Sequence, residues 1–220
     1  MDKIRFYNSR EEAGDILAEK IVALNLKKPC LLAIPRGGIQ VAEGVSDKLK
    51  TPIYPIIVKK LPIPGNPEAG FGAIAEDGIK VLDEETVSYL GLNDETVEKI
   101  SQSVIREIMH RSSIYGNADK EIVKSSDAII VDDGVATGYS LIAAIKSVKG
   151  MNPASITAAV PVASKDAYDR ILPLVDNFIC PLVEETYFFA VANYYKEWFD
   201  LEEDEIVKIL KNSREKYKIT

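Results

Sequence analysis

The sequence has few of the residues that bind metals or form disulfides: two cysteines and a single histidine in 220 residues. Cys30 and Cys180 stand far apart in apolar surroundings, which favours core thiols in a reducing cytosol. No apolar run approaches the roughly 20 residues of a membrane span. Residues 1–10 are polar, so no signal peptide is indicated. These absences predict a soluble cytoplasmic protein.

A basic surface is also missing. The formal net charge is −7, whereas nucleic-acid surfaces depend on clustered Lys and Arg. A nucleic-acid partner is therefore not expected, although local donors could still bind a small anion. Internal repeats and low-complexity tracts are absent too. Hydrophobic residues make up 46% of the chain, enough for a substantial core, and the length predicts a single domain over residues 1–220.

Four apolar runs predict buried strands, at residues 31–34, 53–58, 128–131 and 155–160, and a fifth strand is predicted at 177–182. The four runs are continuously apolar rather than alternating, and helical patterns separate most of them. This is typical of a parallel sheet covered on both faces. The predicted fold is α/β, with a mainly parallel sheet flanked by helices. Helices are expected after the cap residues Ser9, Asn93 and Ser164, and over residues 202–217.

One stretch has no regular pattern. Residues 61–72 contain three prolines and three glycines, which neither a packed helix nor a central strand tolerates. We therefore predict a long irregular loop here, of a length that is often functional. The dipeptide Asp77-Gly78 that follows, between two apolar runs, predicts a hairpin turn.

The most informative stretch is residues 127–147. A buried strand ends in Asp132 and Asp133, and a turn of small residues at 134–140 leads into a helical pattern. The free N–H groups and the dipole at the start of a helix suit a phosphate. The two acids suit hydroxyl groups or a magnesium ion. The combination indicates a sugar phosphate as ligand.

Two further polar clusters follow predicted strands. Arg36-Gly37-Gly38 comes after the strand at 31–34, and Lys59-Lys60 after the strand at 53–58. Ligands of open parallel sheets bind beyond the carboxyl ends of the strands, so we expect these clusters to converge with the acid pair. Two rival phosphate motifs are absent, namely G-x-x-x-x-G-K-[ST] and a G-x-G-x-x-G that opens a strand–helix–strand unit.

The segment IIVDDGVATGYS, residues 129–140, resembles the phosphoribosyl-pyrophosphate motif of type I phosphoribosyltransferases. AIPRGG, residues 33–38, resembles the pyrophosphate loop of that family. Residues 58–78 and 188–206 resemble a subgroup of prokaryotic phosphoribosyltransferase-like proteins with an unsettled acceptor. With these segments the resemblance covers most of the chain.

The resemblance implies a role for each motif. Asp132 and Asp133 would hold the ribose 2′- and 3′-hydroxyls, directly or through Mg²⁺. The residues that would wrap the 5′-phosphate are Ala136, Thr137, Gly138, Tyr139 and Ser140. Those that would face the pyrophosphate are Arg36, Gly37, Gly38 and Lys60, in a loop that often contains a non-proline cis peptide in relatives. Residues 61–72 would correspond to the flexible closing loop, and residues 183–200 to a small C-terminal hood over the base.

These assignments predict a magnesium-dependent phosphoribosyltransferase, a cytoplasmic homodimer that transfers the 5-phosphoribosyl group to a nucleobase-like acceptor. Two departures leave the acceptor open. Ala136 stands where 6-oxopurine enzymes have an acid that serves as base, and residues 61–72 contain no cation. A non-catalytic sensor of phosphoribosyl pyrophosphate is the alternative, and another sugar-phosphate enzyme is a remote third because of the motif order.

Each motif also has a purely structural interpretation. The acid pair could be a solvated strand end, Arg36 part of a simple turn, and Lys59-Lys60 an exposed end of an element. His110, the only histidine, is predicted at the surface, while Arg111 and Tyr115 could reach the site or merely pack. The aromatic residues near the C-terminus could stack on a base or form a dimer contact. They are Tyr187, Phe188, Phe189, Tyr194, Tyr195, Trp198 and Phe199.

Overall fold

A five-stranded parallel sheet forms the centre of the structure, a computed structural model that describes residues 6–186 and 188–217. Its strands are β1 (Pro29–Ala33), β2 (Ile53–Pro55), β6 (Asp127–Val131), β7 (Ser155–Ala159) and β9 (Asn177–Ile179). They lie in the order β2-β1-β6-β7-β9, and all four neighbouring pairs are parallel. The predicted fold class is thereby confirmed.

Two smaller sheets flank the central one. An antiparallel sheet contains β3 (Val58–Ile63), β4 (Asn66–Ala75) and β5 (Lys80–Leu82) in that order. A parallel pair is formed by β8 (Val162–Ser164) and β10 (Leu182–Glu184). The predicted hairpin turn at Asp77-Gly78 joins β4 to β5 and is confirmed, since the Ala75 N–H donates to the Ile79 carbonyl at 2.9 Å.

Helices cover both faces of the central sheet. They are α1 (Arg10–Val22), α2 (Gly37–Leu49), α3 (Glu84–Tyr89), α4 (Asp94–Tyr115), α5 (Lys120–Val123), α6 (Tyr139–Gly150), α7 (Lys165–Ile171) and α8 (Glu203–Lys216). One core contains the buried faces of α1, α2, α4 and α8, and a second contains those of α6 and α7. A third, smaller cluster is formed by Tyr7, Ala13, Val162, Leu182 and Tyr195. Among the described residues, no helix combines the length and the apolar character needed to cross a bilayer.

The two larger cores explain why the strands of the central sheet are apolar on both faces. Successive side chains of a strand point to opposite faces of the sheet, so β1 and β6 contribute residues to both cores. Those on the side of α1 and α2 are Leu31, Ala33, Ile129 and Val131, and those on the side of α6 are Cys30, Leu32, Ala128 and Ile130.

The predicted helix starts are confirmed at all three cap residues. The side chain of Ser9 accepts from the Glu12 N–H, that of Asn93 from Thr96 and that of Ser164 from Ala167. Each cap satisfies one of the N–H groups that a helix start leaves without an intrahelical partner.

The irregular loop predicted at residues 61–72 is wrong, because this stretch forms most of the β3–β4 hairpin. The prolines are accommodated at irregular positions: the strand pairing shifts register on both sides of Pro62, which lies opposite Gly70. A missing N–H is tolerated at such a bulge although a regular central strand would not accept it.

Two of the predicted strands are each divided. The run at 53–58 ends in the central sheet at Pro55, and Val58 already belongs to the β3–β4 hairpin. Lys59 and Lys60 therefore lie within β3 rather than at a strand end of the central sheet. The stretch 177–182 likewise separates into β9, at the edge of the central sheet, and β10, which pairs with β8.

Candidate functional site

The acid pair lies where β1 and β6 end side by side. Ala33 is opposite Val131 in the parallel pairing, and the Ile34 N–H donates to the Val131 carbonyl at 2.9 Å. Asp132 and Asp133 follow directly and are half-buried. The loops after both strands are thereby brought together at the carboxyl edge of the sheet, where ligands of open α/β sheets bind.

Glycine is required where the loop after β1 meets the acids. A Cβ on Gly37 would lie 1.9 Å from Oδ2 of Asp133, and one on Gly38 would lie 2.9 Å from Cα of Asp132. The preceding peptide bond, Pro35–Arg36, is cis, as the resemblance implied. The Arg36 guanidinium donates to the Leu201 carbonyl at 3.0 Å and pairs with Asp200 at 3.5 Å.

A cation that the sequence analysis did not identify is bound to the acid pair. Arg10, the first residue of α1, is 4% exposed, and its Nε and Nη2 lie 2.9 and 2.8 Å from Oδ2 of Asp133. Its Nη1 donates to the Phe199 carbonyl, and its guanidinium carbon lies 3.9 Å from the centre of the Trp198 ring.

A signal for Arg10 exists in the sequence. Arg10 lies on the same helical stripe as Ala13, Leu17 and Ile21, which are all fully buried. A cation at the start of a helix is also disfavoured by the helix dipole. An arginine on a buried stripe, where the dipole opposes it, needs an acidic partner elsewhere in the fold.

Tyr195 makes a second contact with Asp133. Its hydroxyl donates to the Asp133 carbonyl at 2.6 Å, and its ring packs against Tyr7 at a centroid distance of 5.6 Å. Burial, followed by the nearby Asp133 charge, raises the pKa of Tyr195 far above its ordinary value. The phenol therefore stays protonated and keeps its role as a donor.

The two acids have different electrostatic surroundings. Burial, together with the negative charge of Asp133, raises the pKa of Asp132 well above its ordinary value. Burial also raises the pKa of Asp133, but the Arg10 guanidinium opposes that shift. Asp132 accepts a hydrogen bond from the Asp133 N–H at 2.9 Å, which does not neutralise its charge. Asp132 is consequently the acid better placed to receive a hydroxyl or a cation.

The turn after the acids, where the sequence predicts a phosphate site, leads directly into the start of α6. Ala136 and Thr137 are exposed, and Gly138 has φ +90° immediately before the first helical residue, Tyr139. The N–H groups of Tyr139 and Ser140 have no intrahelical acceptors because they belong to the first turn. They are available to an anion, whose charge the helix dipole also favours.

Two side chains from neighbouring elements hold this turn in place. The Ser164 hydroxyl donates to the Ala136 carbonyl at 2.6 Å while it caps α7. The Arg170 guanidinium donates to the Thr137 carbonyl at 3.0 Å and lies 5.5 Å from the centre of the Tyr139 ring. The sequence predicted Ser164 only as a helix cap, and it gave no role to Arg170. Their contacts with the turn were not predicted, since the bonded residues are 28 and 33 positions apart along the chain.

The lysines of β3 make local contacts instead of joining the acid pair. The Lys60 ammonium donates to the Glu68 carbonyl on the neighbouring strand, and Lys59 forms an ion pair with Glu107 of α4. A role for Lys60 toward pyrophosphate stays a prediction.

The segment predicted as a hood, residues 183–200, begins in β10 and contacts Asp133 through Tyr195. The Tyr7 N–H donates to the Tyr194 carbonyl at 2.7 Å, and the Lys196 N–H donates to the Tyr7 carbonyl at 2.9 Å. Its aromatic residues have different environments: Tyr195 is buried, Phe189 stacks on Tyr194 at 5.1 Å, and Phe188 is 91% exposed. Tyr187 lies outside the described residues.

A hollow of about 350 Å³ borders the start of the hood. It is lined by Ser164, Lys165, Asp166, Glu184, Glu185 and Thr186. Because Ser164 also contacts the Ala136 carbonyl, the hollow adjoins the candidate phosphate cradle.

The three remaining residues left open by the sequence have other surroundings in the structure. Tyr115 is buried in the core, where its carbonyl accepts from Arg214 at 3.1 Å. His110 and Arg111 line a surface hollow on α4 together with Lys59. Within the part of the chain that the structure describes, no hydrogen bond or ion pair joins either of them to Asp132 or Asp133.

Magnesium fits this site in one specific way. No group of three or more His, Cys, Asp or Glu side chains among residues 6–186 and 188–217 is arranged to enclose a metal. Asp133 is already paired with Arg10, so Asp132 is the carboxylate left to balance a cation. Mg²⁺ retains several waters and commonly binds one or two carboxylates together with substrate phosphates. The donor set fits that mode and does not fit an all-protein cage.

Comparison with families and solved structures gives matches over nearly the whole chain. The family model of the phosphoribosyl transferase domain matches residues 6–198. The crystal structure of TT1426 from Thermus thermophilus is similar with a TM-score of 0.76 and 32% identity, over 94% of this chain and 98% of that one.

Two relatives extend the comparison. A Mycobacterium tuberculosis H37Rv protein, whose name assigns it provisionally to the phosphoribosyl transferases, is 31% identical over 208 residues, 94% of this chain and 47% of the relative. The uracil phosphoribosyltransferase of Ureaplasma parvum ATCC 27815 is 27% identical over 150 residues, 66% of this chain and 60% of the relative. The chain spans about half the length of the mycobacterial relative.

Proposed function

The chain belongs to the phosphoribosyltransferase family, and on that premise we propose that it transfers a 5-phosphoribosyl group from phosphoribosyl pyrophosphate to a nucleobase-like acceptor. Residues 1–220 act as one such domain in this proposal, with residues 183–200 as its hood. The observation that carries the proposal is the convergence at the ends of β1 and β6. There the acid pair, the Gly37 loop and the turn before α6 meet in one place.

The donor is proposed to lie across this edge of the sheet. Its 5′-phosphate accepts from the N–H groups between Ala136 and Ser140, and its ribose hydroxyls donate to the acids, chiefly to Asp132. Its pyrophosphate faces the loop of Arg36, Gly37 and Gly38. Support comes from the exposure of Ala136 and Thr137 and from the ion pair of Arg10, which is made with Asp133 rather than with Asp132.

In the proposed reaction, a ring nitrogen of the acceptor donates its electron pair to C1 of the ribose. The bond between C1 and the pyrophosphate oxygen breaks, and pyrophosphate leaves with the electrons of that broken bond. The proton of the acceptor nitrogen is released to water. Positive charge develops on the ribose at the transition state, and the nearby carboxylates stabilise it. Because the protein forms no covalent bond, its contribution is to position both substrates and to exclude water.

We propose Mg²⁺ as the cofactor. When bound, it would neutralise the charge of the donor phosphates. Asp132 would hold it, directly or through water, because Asp133 is paired with Arg10. Arg36 would supply the fixed positive charge on the pyrophosphate side once its contact with Asp200, a long ion pair at 3.5 Å, is exchanged for the ligand.

The acceptor is proposed to bind in the hollow between the phosphate cradle and the hood, which presents polar groups such as Thr186 and Glu184. Uracil is the first acceptor to test, because a uracil phosphoribosyltransferase is among the relatives. Ala136 offers no carboxylate to a 6-oxopurine, so hypoxanthine and guanine are expected to be poorer acceptors.

We also propose a homodimer that works in the cytoplasm. The proposal for a dimer is supported by Phe188 and Phe199, which are 91% and 51% exposed near the hood, because aromatic residues are enriched at protein interfaces. A reducing compartment suits the two free cysteines.

One experiment tests both donor binding and catalysis. The thermal stability of the protein is measured with phosphoribosyl pyrophosphate and Mg²⁺, and pyrophosphate release is then followed with single purine and pyrimidine bases. Stabilisation by the donor, with release that requires one base, is the expected result. Stabilisation without release for any base would favour a donor sensor, and no stabilisation would refute the site assignment.

A further inference from the structure

The Arg10 guanidinium joins two distant segments of the chain, which an ion pair with Asp133 alone would not require. Its guanidinium is buried, and its nitrogens contact two separate parts of the chain, the Asp133 carboxylate and the Phe199 carbonyl. The planar guanidinium fork presents five donors in fixed directions, so its two contacts constrain each other. Asp133 therefore cannot move without disturbing the backbone at Phe199.

Residues 194–201, which we name the strap, contact the acid pair a second time. Tyr195 donates to the Asp133 carbonyl at 2.6 Å, and the Trp198 ring covers the Arg10 guanidinium at 3.9 Å. Leu201, at the end of the strap, accepts from Arg36 at 3.0 Å. Side chains of the first helix and of the strap thus contact Asp133, and the backbone of Gly37 packs against its carboxylate. Asp132, in contrast, accepts its hydrogen bond from the N–H of its own neighbour.

We propose that Arg10 is a positioning residue that couples the donor site to the strap, with Asp133 as the connecting residue and Asp132 as the acid that receives the donor. The inference rests on the proposed function. It assigns different tasks to two adjacent acids: Asp133 transmits the position of the strap, and Asp132 binds the ribose hydroxyls. Binding of the donor then orders the strap, whose residues 194–200 form the second half of the hood.

Trp198 provides a direct readout, because it is the only tryptophan in the chain and lies against Arg10. Phosphoribosyl pyrophosphate with Mg²⁺ is titrated into the protein without any acceptor, and tryptophan emission is recorded. In the wild type the emission is expected to change saturably with the donor. In Arg10→Lys the charge remains, but a single ammonium cannot replace the fork, so donor affinity is expected to fall about tenfold and the emission change to be lost.

Two further variants complete the test. Tyr195→Phe removes the other link between the strap and Asp133 and is expected to weaken donor binding by about three- to tenfold. Tyr195→Phe tests the coupling even if Arg10→Lys fails to fold, because it deletes only a hydroxyl and keeps the aromatic ring. Arg106→Gln changes an exposed arginine of α4 and serves as the control, with donor affinity and emission as in the wild type.

The outcomes separate this inference from the proposed function. If the wild type shows neither donor-induced emission change nor thermal stabilisation by the donor, the proposed function fails and the coupling fails with it. If the wild type is stabilised by the donor while Arg10→Lys and Tyr195→Phe bind it with unchanged affinity, the coupling is overturned and donor binding stands. Stabilisation of the wild type without any change in Trp198 emission also overturns the coupling.

Discussion

Gly37 and Asp133 are in such close contact that a Cβ on Gly37 would lie 1.9 Å from the Asp133 carboxylate oxygen Oδ2. That carboxylate is fixed by Arg10 and cannot withdraw easily. The edge of the candidate site is thus packed as tightly as a protein core, although it lies at the end of a sheet.

Gly37→Ala is therefore expected to destabilise the fold by roughly 1–3 kcal/mol, as overpacking does, and to abolish donor binding. Thermal unfolding and donor-induced stabilisation measure the two effects. Gly150→Ala is the matched control: a Cβ there has no neighbour within 4 Å, and the backbone needs no positive φ. That control should leave donor binding intact. Wild-type affinity in Gly37→Ala would contradict the proposed geometry.

Asp127 and Asp132 lie at opposite ends of β6 and are expected to affect stability with opposite sign. The raised pKa of Asp132 means that its ionised form disfavours folding. Asp132→Asn should stabilise the protein at neutral pH while it abolishes donor binding. The difference in unfolding free energy between the variant and the wild type should grow as the pH rises from about 4 toward the raised pKa of Asp132. In this range Asp132 ionises in the unfolded chain before it ionises in the folded protein.

Asp127→Asn is the matched substitution. Hydrogen bonds from the Lys28 N–H and the Ser155 hydroxyl lower the pKa of Asp127, so its charge supports folding. This variant should be less stable at neutral pH, and its deficit should shrink as the pH falls through the lowered pKa of Asp127. Denaturant unfolding at several pH values checks both signs. If Asp132→Asn were less stable than the wild type, the ionised Asp132 would favour folding, and the prediction would be wrong.

Ser164→Ala tests the support of the phosphate cradle. The substitution removes the cap of α7 and the hydrogen bond to the Ala136 carbonyl, so we expect a loss of about 1–2 kcal/mol in stability and a several-fold weaker donor affinity. Asn93→Ala removes a comparable cap from α4, far along the chain from the cradle. It should cost about 1 kcal/mol without any change in donor affinity. Equal affinities in the two variants would argue against a positioning role for Ser164.

The two cysteines are expected to be unreactive in the folded protein. Burial raises the pKa of Cys30 to about 11 and that of Cys180 to about 12. At pH 7.5 the reactive thiolate is then below roughly one part in a thousand. Iodoacetamide followed by mass measurement should show no modification of the native protein and two modified cysteines in urea. Rapid labelling of native Cys180 would reveal that the segment around it opens.

The parts of the site that follow from local pattern were predictable from the sequence. An apolar strand, two acids and a turn of small residues before a helix follow one another along a short stretch of chain, and the structure has them in that arrangement. The loop after β1 could be added because parallel strands end at the same edge of a sheet. The cis bond at Pro35–Arg36 followed from the resemblance alone.

Long-range partners were not predictable from local pattern. The position of Arg10 on a buried helical stripe indicates that it needs an acidic partner, but only the tertiary fold identifies that partner as Asp133. Ser164 and Arg170 support the cradle from a neighbouring element for the same reason. The β3–β4 hairpin was not predicted because proline and glycine are unfavourable in regular strands. The register shifts around Pro62 interrupt the regular pairing, so the proline is tolerated there.

The contacts of Arg10 also determine when the site can form during synthesis. Its partners Asp133 and Phe199 follow it by 123 and 189 residues. On the ribosome, α1 and the first strands emerge long before the guanidinium has anything to bind, and contacts between distant residues form slowly. A nascent chain that stops before residue 199 lacks the carbonyl that accepts from Nη1. The site is therefore completed only after residue 199 has been translated.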